Sequence, residues 1–234
     1  MSPSTPQRPL ATAVLIPAFN CERTIGEVVR GARRFVTTVL VVNDGSGDAT
    51  AARATEAGAE VETHRTNQGK GAALLTGMRH LENHGIERVL TMDGDGQHLG
   101  EEIPRLLAAA NAESDALILG ARQFDAVSIA PMKLFGNRFA NRWVEIACGQ
   151  QLPDTQSGFR VYPLRRTLAL GARARHFAFE TEVLIRAARA GMAIRSVPVR
   201  VYYPPIEERM SHFRPFLDTV RIIFVVLGLI FRLR

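Results

Sequence analysis

The chain reads as an α/β layer, a Rossmann-like and mostly parallel sheet with helices on both faces. Three observations predict it. Short, fully apolar runs alternate with amphipathic stretches through the first half of the chain, and strands of that kind are the ones buried on both faces of a parallel sheet. Of 234 residues, 46% are hydrophobic and 22% charged, enough to build a core and too apolar for a disordered chain. No internal repeat or long linker divides the sequence, so one domain is expected.

The elements follow in order. Residues 1–10 are polar, carry three prolines and read as a disordered leader without the apolar stretch of a signal peptide. Strands are predicted at Ala13–Pro17, Val39–Val42, Glu60–Thr63, Val89–Met92 and Ala116–Leu119. Helices fall between them near 24–35, 48–58, 70–83 and 101–112. The second half predicts a helix over about 131–148, a loop over 151–163, helices near 163–170 and 180–190, and a strand over Ile194–Tyr203 ended by Pro204 and Pro205. A last helix, residues 214–234, holds ten unbroken apolar residues, Ile222–Phe231. Crossing a bilayer takes about 20, so this helix is expected to lie at the membrane interface, with burial or a partner membrane protein's helix as alternatives. Two cysteines without metal spacing suit a reducing, cytoplasmic setting.

In open α/β sheets ligands bind beyond the carboxyl ends of the strands, so the loops there carry the chemistry. After the first strand comes Pro17-Ala18-Phe19-Asn20-Cys21-Glu22, with no glycine before Gly26. That excludes the dinucleotide-binding fingerprint, and Gly69-Lys70-Gly71 does not complete a P-loop. After the second strand, Asp44 is placed to accept hydrogen bonds from a base or ribose, while Ser46 or Asp48 can cap the next helix. Gly69-Lys70-Gly71 at a helix start offers amides and a point charge to an anion. The most informative run is Asp93-Gly94-Asp95-Gly96-Gln97-His98 after the fourth strand. Two carboxylates at i and i+2 between glycines can face one hard cation, Mg²⁺ or Mn²⁺. A calcium loop of the helix–loop–helix kind does not follow a strand, and His98 reads equally well as a ligand or as a core histidine.

Charge divides the chain. Residues 1–120 sum to −4 and residues 121–234 to +10, with only Lys70 and Lys133 as lysines among 29 basic residues. A basic half favours an anionic client. Nucleic acid is disfavoured by scarce lysine, few aromatics and no known binding module.

Several of these loops match one pattern together. The runs IPAFNCERTIGEVV (16–29), VVNDGSGDAT (41–50), NQGKGAALLTGM (67–78), TMDGDGQH (91–98), LGAR (119–122), DTQSGFRVYP (154–163) and FAFETEVL (177–184) resemble, in order, those of family 2 glycosyltransferases with the GT-A fold, and within them the dolichol- or polyprenyl-phosphate hexosyltransferases. The resemblance implies a GT-A domain over 11–213 that takes a nucleotide-sugar donor and a lipid-phosphate acceptor at the cytoplasmic membrane face. It implies Pro17, Phe19, Glu22, Asp44 and Lys70 on the nucleotide, and Asp93, Asp95 and Gln97 on the metal. Arg122, Lys133, Arg160 and Arg214 fall to the acceptor phosphate, and Ser211–Arg214 to a basic loop. Asp93, Asp95, Lys70 and Asp154 are the expected catalytic set, and for a hydroxyl acceptor Asp154 and Glu180 are the candidate bases. Asn43 and Phe19 stand where the family has Asp and Tyr, and its usual transmembrane tail is missing.

Overall fold

The computed structural model describes residues 10–123 and 141–203, and residues 223, 225, 226, 228 and 229 of the last helix. Seven strands form one sheet: β1 (Thr12–Ala18), β2 (Thr38–Asn43), β3 (Glu60–Thr63), β4 (Arg88–Thr91), β5 (Leu117–Arg122), β6 (Arg160–Pro163) and β7 (Ile194–Val199). Their order is β3-β2-β1-β4-β6-β5-β7. The helices are α1 (Ile25–Arg33), α2 (Thr50–Glu56), α3 (Lys70–Asn83), α4 (Ile103–Ala112), α5 (residues 141–148 in its described part), α6 (Leu164–Ala169) and α7 (Ala178–Arg189).

The strands are apolar throughout because both faces are covered. In β1, Ala13 and Leu15 join a core with Leu74 and Met78 of α3 and Phe179 and Val183 of α7. Val14 and Ile16 point the other way, to Ile25 and Val29 of α1 and Leu106 of α4. Period-2 alternation thus divides each strand between two helix layers. Gly77 shows how closely α3 lies on the sheet, since a β-carbon there would stand 2.3 Å from Leu15 Cδ1. That contact offsets the roughly 1 kcal/mol a mid-helix glycine costs.

The first five expected strands and the helices between them appear, Glu60–Thr63 and 70–83 with the expected bounds and the others with shifted ends. Residues 160–163 are a correction. Expected as loop, they form β6, antiparallel to both neighbours: Thr91 pairs with Arg160 and Arg88 with Pro163 on one side, Ile118 with Val161 on the other. Four residues containing an arginine carry too little alternation to read as a strand, and only the sheet's two open edges make them one. The expected leader, Lys133, Ser211–Arg214 and most of residues 214–234 lie outside the described residues. Of the last helix, Val226 and Leu229 are buried in the α3/α7 core, and Arg189 donates to the Leu229 carbonyl at 2.8 Å. For these two positions burial, not the membrane interface, is what the fold provides. Among the described residues no helix is long and apolar enough to cross a membrane.

Candidate active site

Because β6 runs backwards, its first residue, Arg160, pairs with Thr91 at the carboxyl end of β4 and with Leu119 of β5, so residues 154–159 share one rim with the loops after β1, β2 and β4. The first two loops are sewn together. Asn20, in the left-handed region at φ 46°, donates its N–H to Ser46 Oγ (2.9 Å) and accepts from the Gly47 N–H (2.9 Å). Ser46 therefore ties loops rather than capping α2. Asp48 accepts from the Thr50 and Glu22 amides, and Glu22 accepts from Ala49. Glu22 stays exposed and Phe19 and Pro17 half-buried.

Asp44 differs from expectation. Its carboxylate is buried and accepts from the Gln68 N–H (2.9 Å), the Gly69 N–H (2.7 Å) and His64 Nδ1 (2.7 Å). His64 Nε2 lies 3.1 Å from Thr76 Oγ1, so the tautomer that satisfies both contacts donates to Asp44 and accepts from Thr76. With three donors and 3% exposure, Asp44 shapes the loop before Lys70.

That loop delivers Lys70, the first residue of α3, into a set of carboxylates. Its ammonium lies 2.5 Å from Asp93 Oδ1 and 3.1 Å from Glu180 Oε2, with the Phe177 ring 5.5 Å away. Burial works against the lysine's charge, but Asp93 and Glu180 outweigh it and hold its pKa above the ordinary value. Burial would raise Asp93, yet Lys70 and its neighbours bring it down to about 2. Asp95 is pushed up to about 6 by burial and by the charge on Asp93. Two carboxylates that resist joint ionisation make a seat for a cation. Gln97 donates its side-chain amide (2.8 Å) and its backbone N–H (3.0 Å) to Asp95, so it orients that carboxylate.

His98 proves to be a core residue. Its Nδ1 accepts from the Asp93 N–H (3.0 Å), its ring stacks on Phe159 at 4.9 Å, and burial pushes its pKa down to about 4. A neutral buried imidazole binds no proton where the unfolded chain's does, between about pH 4 and 6.5, so its contribution to stability grows as pH rises through that window. Asp95, raised, acts in the opposite sense from about pH 3.8 to 6. The difference between wild type and His98→Asn, which keeps an acceptor for Asp93, isolates the histidine. The melting-temperature gap is expected to be largest at pH 7 and to shrink by pH 5 in metal-free protein. A constant gap overturns the assignment.

Residues 154–160 close the site. Asp154 pairs with Arg122 through Nε (2.6 Å) and a second guanidinium nitrogen (3.0 Å), and also accepts the Arg122 and Gln156 amides. This bidentate pair fixes both residues, and Asp154 is thereby a positioning group rather than a free base. Gly158 passes directly over the Lys70–Asp93 pair, where a β-carbon would sit 2.7 Å from Lys70 Nζ and 2.8 Å from both Asp93 oxygens. Arg160, expected on a phosphate, is wholly buried (0% exposed) and donates to the carbonyls of Ser157, Glu180 and Thr155 at 2.7–2.8 Å. It braces this loop against α7 and offers nothing to a ligand. Sequence reasoning missed Asn20, His64 and Gly158, because each acts on a loop distant in the chain.

Comparison with known proteins bears on the family and the fold. The family model described as glycosyl transferase family 2 matches residues 13–179. A polyprenol monophosphomannose synthase of Mycolicibacterium smegmatis is 30% identical over 211 residues, covering 84% of this chain and 79% of that protein. The glycosyltransferase AglJ of Haloferax volcanii is 31% identical, covering 90% and 69%. A crystal structure of glucosyl-3-phosphoglycerate synthase from Mycobacterium tuberculosis, with Mn²⁺, UDP and phosphoglyceric acid, superposes with a TM-score of 0.74 at 21% identity, covering 94% of this chain and 78% of that one. Since the family match runs unbroken from β1 into the start of α7, across the backward strand as well as the parallel ones, the chain belongs to glycosyl transferase family 2 and is a glycosyltransferase of the GT-A fold.

Proposed function

We propose that this enzyme transfers a hexose from a nucleotide-diphosphate sugar, of the GDP-mannose or UDP-glucose type, to a polyprenyl or dolichyl phosphate at the cytoplasmic membrane face, with Mg²⁺ or Mn²⁺. One observation carries the acceptor class. The two carboxylates that the sequence offers as a general base are each paired with a cation, Asp154 with Arg122 and Glu180 with Lys70. A hydroxyl acceptor needs such a base, whereas a phosphate monoester, with a second pKa of about 6, is already ionised. The names of relatives support the same reading: a polyprenol monophosphomannose synthase, an undecaprenyl-phosphate mannosyltransferase from Micrococcus luteus and a UDP-N-acetylglucosamine–dolichyl-phosphate N-acetylglucosaminyltransferase from Methanococcus voltae.

Asp93 and Asp95 fit a hard divalent ion. Among the described residues no three His, Cys, Asp or Glu side chains form a self-contained metal cage, and Mg²⁺ sites of this chemistry use one or two carboxylates together with substrate phosphates. When bound, the ion supplies Lewis-acid neutralisation of charge gathering on the leaving diphosphate. The chain's own part is positional. An acceptor phosphate oxygen forms the new bond to the anomeric carbon as the bond to the diphosphate oxygen breaks. Lys70 is close enough to Asp93 to share the developing charge. Arg122, braced by Asp154 at the end of β5, is the cation this reading assigns to the acceptor phosphate.

The deciding experiment incubates purified protein with Mn²⁺ and a panel of GDP- and UDP-sugars, with polyprenyl phosphate or the unphosphorylated polyprenol. Glycolipid is expected only with the phosphate. Product from the polyprenol overturns the acceptor assignment.

A further inference from the structure

Lys70 and the two carboxylates it touches form a device beyond simple charge neutralisation. Asp93, Asp95 and Glu180 with one ammonium sum to a formal −2, the complement of one divalent cation. The ammonium stands 2.5 Å from Asp93 Oδ1, so it occupies the space a cation on that oxygen would need. It cannot retreat over the top, because Gly158 closes that side with room for no β-carbon. Its remaining partners are Glu180 Oε2 on α7, at 3.1 Å, and the ring of Phe177, the residue just before that helix. Glu180 has spare capacity. It is buried, its Oε1 has no hydrogen-bond partner, and Lys70 is its one ion pair among the described residues.

We propose that Lys70 is a built-in competitor for the metal at Asp93, and that Glu180 is the positioning residue that takes the ammonium over when the cation binds. Two seats for one ammonium turn metal binding into an exchange: Lys70 leaves Asp93, settles on Glu180 and Phe177, and the cation replaces it. The metal site is therefore held weak until something rewards the move, and a donor diphosphate, which attracts both cations, does so. This rests on the metal reading above, and the test separates the two.

The experiment titrates Mn²⁺ alone into the full-length protein and reads free Mn²⁺ by electron paramagnetic resonance, with circular dichroism confirming each fold. Lys70→Met is expected to bind Mn²⁺ about 10-fold tighter than wild type, the size of a typical coupling between sites. Lys70→Arg, which keeps the competing charge, is expected to stay near wild type. Glu180→Gln removes the second seat and is expected to weaken binding roughly 3-fold, an effect that shrinks in the Lys70→Met background because the two residues act as a unit. Unchanged or weaker binding by Lys70→Met, with binding still lost in Asp93→Asn, overturns the competitor alone. No Asp93-dependent binding in either wild type or Lys70→Met overturns the metal site and the competitor together. Should Lys70→Met not fold, Glu180→Gln decides, and unchanged or tighter binding refutes the hand-over.

Discussion

Asp93→Ala is expected to abolish transfer, with kcat lowered about 10³-fold or more at saturating Mn²⁺, the scale seen when a preorganised charge at a transition state is removed. The residue is the near partner of Lys70, and in the function proposed above it supplies an anionic oxygen to the cation. Its removal leaves Glu180 as the carboxylate that holds Lys70 and, in that proposal, takes one of two carboxylates from the cation. The fold survives, because what binds His98 is the backbone N–H of residue 93, which alanine retains. Initial rates beside a melting curve test this. An unfolded variant is set apart by the melt, and a folded variant with wild-type turnover removes Asp93 from the mechanism.

Arg160→Met carries the largest expected effect on stability. The guanidinium answers three backbone carbonyls in a place water does not reach. Methionine fills the volume of the stem but leaves the loop carbonyls of Ser157 and Thr155 unsatisfied, each costing about 1–3 kcal/mol, while the Glu180 carbonyl keeps its helical donor. Relaxation recovers part of that, so a loss of about 4 kcal/mol is expected, a large share of the roughly 5–15 kcal/mol that holds a domain folded. For a chain of this size that lowers Tm by about 10 °C. Calorimetry checks it, with acceptor KM measured in the cold as a companion. An unchanged Tm with a raised KM for the acceptor returns Arg160 to the phosphate.

These two residues mark what the sequence discloses and what it hides. Asp93 and Asp95 stand out because their spacing, flanking glycines and place after a strand are all local. The parallel strands are legible for the same reason, since Val39–Val42 or Val89–Leu90 can belong nowhere but a doubly covered sheet. Arg160 misleads because its charge is visible and the carbonyls that consume it are not. They come from residues 155, 157 and 180, gathered only when β6 enters the sheet. Asp44 was found at its strand end, but its partners, the amides of residues 68 and 69, belong to a loop that the sequence places two elements away. Local chemistry shows which residues are polar for a reason; only tertiary closure shows to whom each is answerable.

The backward course of β6 has an evolutionary consequence. A parallel strand offers the site the loop that leaves it, and that loop must lead straight into a covering helix. β6 offers the loop that precedes it, residues 154–159, whose upstream end is joined to α5 and not to the sheet. Insertions or substitutions upstream of Asp154 can therefore accumulate without shifting the register of any strand. Change there leaves Lys70, at the start of α3, and Asp93, just after β4, where they stand.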